Sequence, residues 1–148
     1  LTAEMEWFGA WRSVDGEHLL PLGEPQLEVL IEGVFEHERL LDFLRYFVLW
    51  ETDDGYVKKL PGYHQFHAVN NGIKETVRAS TGDGDGRIGV VWHTQGSGKS
   101  ILMAFYAAKL TLTPEMENPT VVVVFPTPFT PTINITMGTP RAPSTTKG

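Results

Sequence analysis

Eight consecutive residues combine the side chains and glycines that phosphate binding requires. They read His93-Thr94-Gln95-Gly96-Ser97-Gly98-Lys99-Ser100. The glycines lack a Cβ, so the backbone can turn tightly and bring its N–H groups against phosphate oxygens. Lys99 would reach the β- and γ-phosphates of a nucleoside triphosphate, and the Ser100 hydroxyl would bind Mg²⁺. We therefore predict an ATP or GTP site with Mg²⁺ whose contacts are Thr94, Gln95, Gly96, Ser97, Gly98, Lys99 and Ser100.

The match to the phosphate-loop pattern is incomplete, because His93 occupies the position of its first glycine. The flanking sequence compensates for this departure. Arg87–Trp92 is short, β-branched and aromatic, which predicts a buried strand. Ser100–Leu112 has helical spacing, with its apolar side at Ile101, Leu102, Phe105, Ala108 and Leu112. A glycine–serine hinge with a surface lysine is the alternative, and the strand–loop–helix order favours the nucleotide site.

A second apolar run defines the predicted fold class. Thr120–Phe125 is continuously β-branched or aromatic, as in strands covered on both faces of a parallel sheet. Together with the strand at 87–92 and the helix between them, it predicts a βαβ crossover, and hence an α/β fold. The tail at 126–148 is rich in proline and threonine, so we expect it to be disordered.

The residues before the loop predict mainly helices. Glu24–Leu49 contains two amphipathic runs, the first with Leu27, Leu30 and Ile31 and the second with Phe35, Leu40, Leu41, Leu44, Phe47 and Val48. A short hairpin is expected around Asp53-Asp54-Gly55. Gly62–Ala79 predicts another helix, whose apolar side is Phe66, Val69, Ile73 and Val77.

Overall composition narrows the class of protein. The chain has 148 residues, of which 41% are hydrophobic and 20% charged, typical of about one globular domain. Its net charge of -6 argues against a broad basic surface, and the absence of cysteine excludes disulfides and zinc–thiolate sites. No apolar run approaches the about 20 residues that span a bilayer. We expect a cytoplasmic protein that does not enter the membrane.

Two histidines, His64 and His67, stand three residues apart on the helix predicted at 62–79. A metal site requires a third ligand and an ordering second layer of hydrogen bonds, and the sequence singles out neither. Ordinary surface or core histidines are therefore favoured over metal ligands.

Two stretches of the sequence resemble a known family. Tyr63-His64-Gln65-Phe66-His67-Ala68-Val69 and Val90–Ser100 resemble the restriction (R, HsdR-type) subunit of type I restriction-modification enzymes, which are superfamily-2 helicase-like, ATP-driven translocases of double-stranded DNA. The similarity is colinear over about residues 1–124. It implies a partial RecA-like motor lobe, catalytic roles for Lys99 and Ser100, an adenine contact by Gln65 and base packing by Tyr63. The implied partners are double-stranded DNA and the methylation and specificity subunits.

The resemblance also implies that the chain is a fragment. Residues 1–61 correspond to a helical linker after an absent nuclease domain, and 62–125 to the first part of the motor lobe. Residues 126–148 depart from the family, which suggests a disordered or frame-shifted tail. The last acidic residue is Glu117, so the carboxylates that hold Mg²⁺ in the family are missing and we expect no hydrolysis by the chain alone. The alternatives are an inactive remnant and a simple P-loop nucleotide-binding module.

Overall fold

The computed structural model describes residues 9–52, 55–80 and 83–113, together with the backbone pairing of residues 122–123 and 133–134. Four helices and four short strands occur in these parts of the chain: α1 Leu27–Val34, α2 His37–Tyr46, β1 Leu49–Glu51, β2 Val57–Lys59, α3 Tyr63–Ser80, α4 Lys99–Thr111, β3 Val122–Val123 and β4 Ile133–Asn134. The predicted helices and the hairpin are confirmed. Strands β1 and β2 pair antiparallel, with Trp50 opposite Lys58.

Helix α2 begins where its sequence provides a cap. The Glu36 carboxylate accepts hydrogen bonds from the backbone N–H groups of Glu38 and Arg39, at 3.2 and 3.0 Å, which satisfies donors that the first turn leaves free. Phe43 on this helix and Phe47 just after it are buried. Leu41 and Leu44, which the apolar pattern placed on the same face, are exposed. The buried stripe is therefore narrower than the sequence predicted.

Helices α3 and α4 pack against each other and form the centre of the core. Phe66, Val69 and Ile73 of α3 are buried, as the sequence predicted. On α4 the buried set is Leu102, Met103, Phe105, Tyr106 and Leu110. Ala108 and Leu112, predicted for that face, are exposed. Tyr106 can be buried because its hydroxyl group has a polar partner in the core, the Thr76 hydroxyl of α3 at 2.5 Å.

The segment before α3 joins the same core. Trp11 is buried, and its ring lies 5.7 Å from the ring of Phe66 and 6.1 Å from that of Phe43. Phe47 packs with its ring 4.8 Å from Phe66 and 5.4 Å from Phe105. Residues assigned from sequence to the linker thus contact the first helix of the predicted motor lobe directly.

The predicted strand at Arg87–Trp92 is wrong. These residues are not in a strand, and the pairings in the described parts of the chain are antiparallel, so the parallel sheet of the predicted α/β fold is not observed there. The exposure of the side chains explains why the apolar pattern gave a wrong prediction. Ile88 and Val91 pack against the core, whereas Val90 and Trp92 are 77% and 79% exposed. Apolar composition predicted an extended backbone, but a strand also requires a hydrogen-bonded neighbour.

The end of the chain is described only at its paired residues. Val122–Val123 pairs antiparallel with Ile133–Asn134, which lies in the tail predicted to be disordered. The rest of the predicted strand at 120–125 and of the tail at 126–148 lies outside the described residues. Among the helices of the described ranges, none is long and apolar enough to cross a membrane.

Candidate functional site

The glycine loop is held at the start of α4. Gly96 and Gly98 have φ angles of 81° and 73°, in the left-handed region that favours glycine. Gly98 is the N-cap residue, and its carbonyl accepts the hydrogen bond from Leu102 N–H at 3.0 Å. Among the described residues no side chain caps this helix, so the first N–H groups of α4 keep free hydrogen-bonding capacity at the positive end of the helix dipole. Such an end suits an anion.

Lys99 folds back across the loop. Its Nζ donates to the carbonyl oxygens of His93 and Thr94, at 3.0 and 2.6 Å. The loop is closed further by a 3.3 Å hydrogen bond from Ser97 N–H to the Thr94 carbonyl. The ammonium group therefore lies at the loop, where the sequence required it for phosphate binding.

Gln65 is the main contact from α3 to the loop. Its side-chain amide nitrogen donates to the carbonyl oxygens of Ser97 and Gly98, at 3.0 and 3.1 Å, and its amide oxygen accepts from Gly62 N–H at 2.9 Å. The residue is buried, with 7% of its surface exposed. It is therefore not a solvent-facing residue of the helix.

A pair of histidines lies beside the same carbonyl groups. The rings of His64 and His93 are 5.2 Å apart and cross at 70°, and His64 Nε2 lies 3.4 Å from the Ser97 carbonyl oxygen. Burial lowers the pKa of His93, and the nearby His64 and Lys99 lower it further. These effects favour the neutral form of the His93 ring. Sequence reasoning had noted His93 only as a departure from the glycine pattern, and its contact with His64 was not foreseen.

Two polar atoms of the loop are buried and, within the described residues, have no hydrogen-bond partner: His93 Nδ1 and Ser97 Oγ. An unsatisfied buried polar group costs on the order of 1–3 kcal/mol. The Ser97 hydroxyl is a donor of the kind that a phosphate oxygen accepts from. The donors of the loop, its lysine and its left-handed glycines thus fit a phosphate group.

The other predicted site residues lie in the loop, in the first turn of α4 and at the start of α3. Thr94 and Gln95 lie within it, and Ser100 is exposed in the first turn of α4. Tyr63 is partly buried, with its ring 6.5 Å from Trp11 and 5.5 Å from His64. Tertiary structure therefore brings the first turn of α3 and the loop together, although about 30 residues separate them in sequence.

The second histidine of the predicted pair has a different environment. His67 Nε2 lies 3.4 Å from the Ser13 carbonyl oxygen, and burial lowers the pKa of its ring. Across the described ranges no three His, Asp or Glu side chains are placed to hold a metal ion together. His64 and His67 thus belong to two separate contacts, one with the loop and one with residues before α1.

Comparison with known proteins identifies a family model and relatives that this chain resembles. The SWI2/SNF2 ATPase family matches residues 64–126, which include nearly all of α3 and the whole loop. The type I restriction enzyme HindI endonuclease subunit of Haemophilus influenzae is 46% identical over 128 residues, which cover 84% of this chain. The chain is homologous to a segment of the type I restriction endonuclease subunits.

A second relative of this restriction-subunit family is more distant. The putative type I restriction enzyme MjaIXP endonuclease subunit of Methanocaldococcus jannaschii is 36% identical over 99 residues, or 65% of this chain. The chain spans only 12% of the length of the Haemophilus protein and 9% of that of the Methanocaldococcus protein. No solved structure matches it significantly.

Proposed function

We propose that residues 93–100 bind the triphosphate of ATP together with Mg²⁺, as the nucleotide site of a type I restriction endonuclease subunit. The observation that carries this proposal is the placement of Lys99 across a loop whose two glycines are left-handed and which leads into an uncapped helix. The SWI2/SNF2 ATPase match over the same residues and the names of the relatives support it.

Each residue of the site has a role in this proposal. Lys99 exchanges the carbonyl oxygens of His93 and Thr94 for the β- and γ-phosphates, and Ser100 binds Mg²⁺ through its hydroxyl. Backbone N–H groups at Gly96, Ser97 and Gly98 surround the phosphates, with Thr94 and Gln95 at the entrance of the loop. Contacts of Gln65 and Tyr63 with adenine follow from the family resemblance and stay a prediction.

The bound ATP supplies the free energy of γ-phosphoryl transfer, which in the complete subunit would drive double-stranded DNA past the complex. Methylation and specificity subunits are the proposed protein partners.

Titration of the 148-residue chain with MgATP tests the proposal, with Lys99→Ala as the site variant. We expect the variant to bind at least about tenfold more weakly, or about 1.4 kcal/mol, because it loses the cation facing the phosphates. Lys74→Ala is the matched control, since Lys74 is an exposed lysine of α3. Equal affinity in the wild type and both variants would reject the loop as the nucleotide site. Measurement of phosphate release in the same samples separates binding from hydrolysis.

A further inference from the structure

Gln65 occupies the third position of α3, directly after Tyr63 and His64. We propose that Gln65 is a positioning residue of the phosphate-binding loop, whose side-chain amide turns the loop N–H groups toward the phosphates. The inference rests on the proposed function, because it assigns a role within the same nucleotide site. It differs from the adenine contact implied by the family resemblance.

The geometry of the peptide unit relates the carbonyl contacts of Gln65 to the direction of the loop N–H groups. In a trans peptide the C=O and the following N–H point in opposite directions. The Gln65 amide nitrogen holds the carbonyl oxygens of Ser97 and Gly98 at 3.0 and 3.1 Å. The N–H groups of Gly98 and Lys99 therefore point away from the Gln65 amide. These are the donors that a phosphate at the start of α4 needs.

The rest of the amide fixes Gln65 to its own helix. Its oxygen accepts from Gly62 N–H at 2.9 Å, so a residue at the third helical position satisfies a donor of the residue before the helix. The Gly62 carbonyl in turn accepts from the N–H groups of Gln65 and Phe66, both at 3.0 Å. Phe66 and Val69 anchor the same helix in the core. The hydrogen bonds of Gln65 thus fix the position of the loop relative to a buried helix.

The hydrogen-bonding capacity of the side chain decides between the two roles. An amide has two N–H donors and one oxygen. Both donors are directed at loop carbonyl groups, and the oxygen is directed at Gly62 N–H. Contact with adenine needs one donor and one acceptor from the same group, so it would take a donor away from the loop. In this conformation Gln65 acts on the phosphate end of the site.

Two substitutions separate the contacts of Gln65. Gln65→Glu retains an oxygen acceptor for Gly62 N–H but, when ionised, has no donor for the loop. Gln65→Leu removes both contacts. The probes are inorganic tripolyphosphate, ATP and GTP, each with Mg²⁺, titrated into the 148-residue chain. Tripolyphosphate carries no base, so its affinity reports on the loop alone.

We expect both variants to lose affinity for the three probes by a similar factor, about tenfold. We also expect Gln65→Glu to regain tripolyphosphate affinity relative to wild type as the pH falls and its carboxyl group protonates, because a protonated carboxyl group is again a donor. A purely structural defect would not show that pH profile. Loss of ATP affinity alone, with tripolyphosphate binding unchanged, would overturn the inference and favour the adenine contact. Failure of the wild type to bind any probe would instead reject the proposed function.

A measurement on the wild type keeps the inference testable even if the variants do not fold. Nuclear Overhauser effects between the Gln65 side-chain amide protons and the Gly98 α-protons should persist when tripolyphosphate is bound. Their disappearance at saturation would show that Gln65 leaves the loop, and would contradict a positioning role.

Discussion

A Cβ atom on Gly98 would lie 2.5 Å from the side-chain nitrogen of Gln65, closer than side-chain carbons approach other atoms. Gly98 is also in the left-handed region, at a φ of 73°. Gly98→Ala therefore meets both a backbone penalty of about 1–2 kcal/mol and a displaced Gln65. We expect a loss of folding free energy of about 2–3 kcal/mol in urea denaturation, together with weaker tripolyphosphate binding.

Gly86→Ala is the matched control for this change. Gly86 has a φ of 68°, but no atom of the described residues lies within 4 Å of the position that a Cβ would occupy there. It should show only the backbone penalty of about 1–2 kcal/mol and normal tripolyphosphate binding. Equal effects of the two substitutions would mean that the contact of Gln65 with the loop contributes nothing measurable.

Lys109 connects three helices. Its ammonium group forms an ion pair with Asp42 of α2, donates to Asn70 Oδ1 of α3 at 2.5 Å and lies 5.0 Å from the centre of the Tyr46 ring. The Lys109 side chain is only 13% exposed, so Lys109→Met leaves Asp42 poorly compensated. We expect a loss of about 2 kcal/mol, less than for a fully buried pair because Asp42 retains some solvent.

The pair Lys59–Glu51 in the hairpin provides the comparison for Lys109. Its side chains are 38% and 46% exposed, and solvent weakens such pairs. Lys59→Met should change the folding free energy by less than about 1 kcal/mol. Thermal unfolding of both variants, followed by circular dichroism, compares the two losses of stability. A larger loss for Lys59→Met than for Lys109→Met would contradict the importance of the Lys109 contacts.

Phe47 has no exposed surface and contacts the rings of Phe43, Phe66 and Phe105. Phe47→Ala removes a large side chain from a site that cannot fully collapse, at a cost of about 3–5 kcal/mol. Leu44→Ala, at a residue that is 60% exposed, should cost no more than about 0.5 kcal/mol. The difference in stability between the two variants is measured from the midpoints of chemical denaturation, with unchanged slopes as the control. Equal midpoints for the two variants would contradict a central place for Phe47 in the core.

The Asp15–His18 pair predicts a pH dependence. The hydrogen bond from the backbone N–H of His18, with others from the His18 ring and Glu17 N–H, holds the pKa of Asp15 well below its usual range. The hydrogen bond to Asp15 raises the pKa of His18 above 6.5. The Asp15 contribution to stability is thus present above its unfolded pKa of about 4 and lost as pH falls further. The His18 contribution is present below pH 6.5 and lost as pH rises through the raised pKa of His18.

The combined contribution of this pair should be largest between about pH 4 and 6.5. An NMR titration of the His18 ring protons should place its midpoint above 6.5 in the wild type and near 6.5 in Asp15→Asn. The same midpoint in both proteins would show that the contact is not formed in solution.

The sequence by itself determined the helices, the hairpin and the position of the glycine loop. Helical spacing located α2, α3 and α4, the Asp53-Asp54-Gly55 sequence located the hairpin, and Gly96, Gly98 and Lys99 marked the loop that leads into α4. These features depend on neighbouring residues, whose spacing reflects helix periodicity, turn conformation and glycine backbone freedom. The homology to restriction subunits was also visible in these stretches, because it lies in consecutive residues.

Only the tertiary structure decided which groups meet. It placed Gln65 on the carbonyl groups of Ser97 and Gly98, and His64 on the ring of His93, across about 30 residues of sequence. Within the described ranges it also left Arg87–Trp92 without a paired strand, and it buried Met103 and Tyr106. Hydrogen bonds and burial between distant segments depend on how the helices pack. An apolar pattern predicts that one face of an element is buried, but it does not identify the residues that bury it.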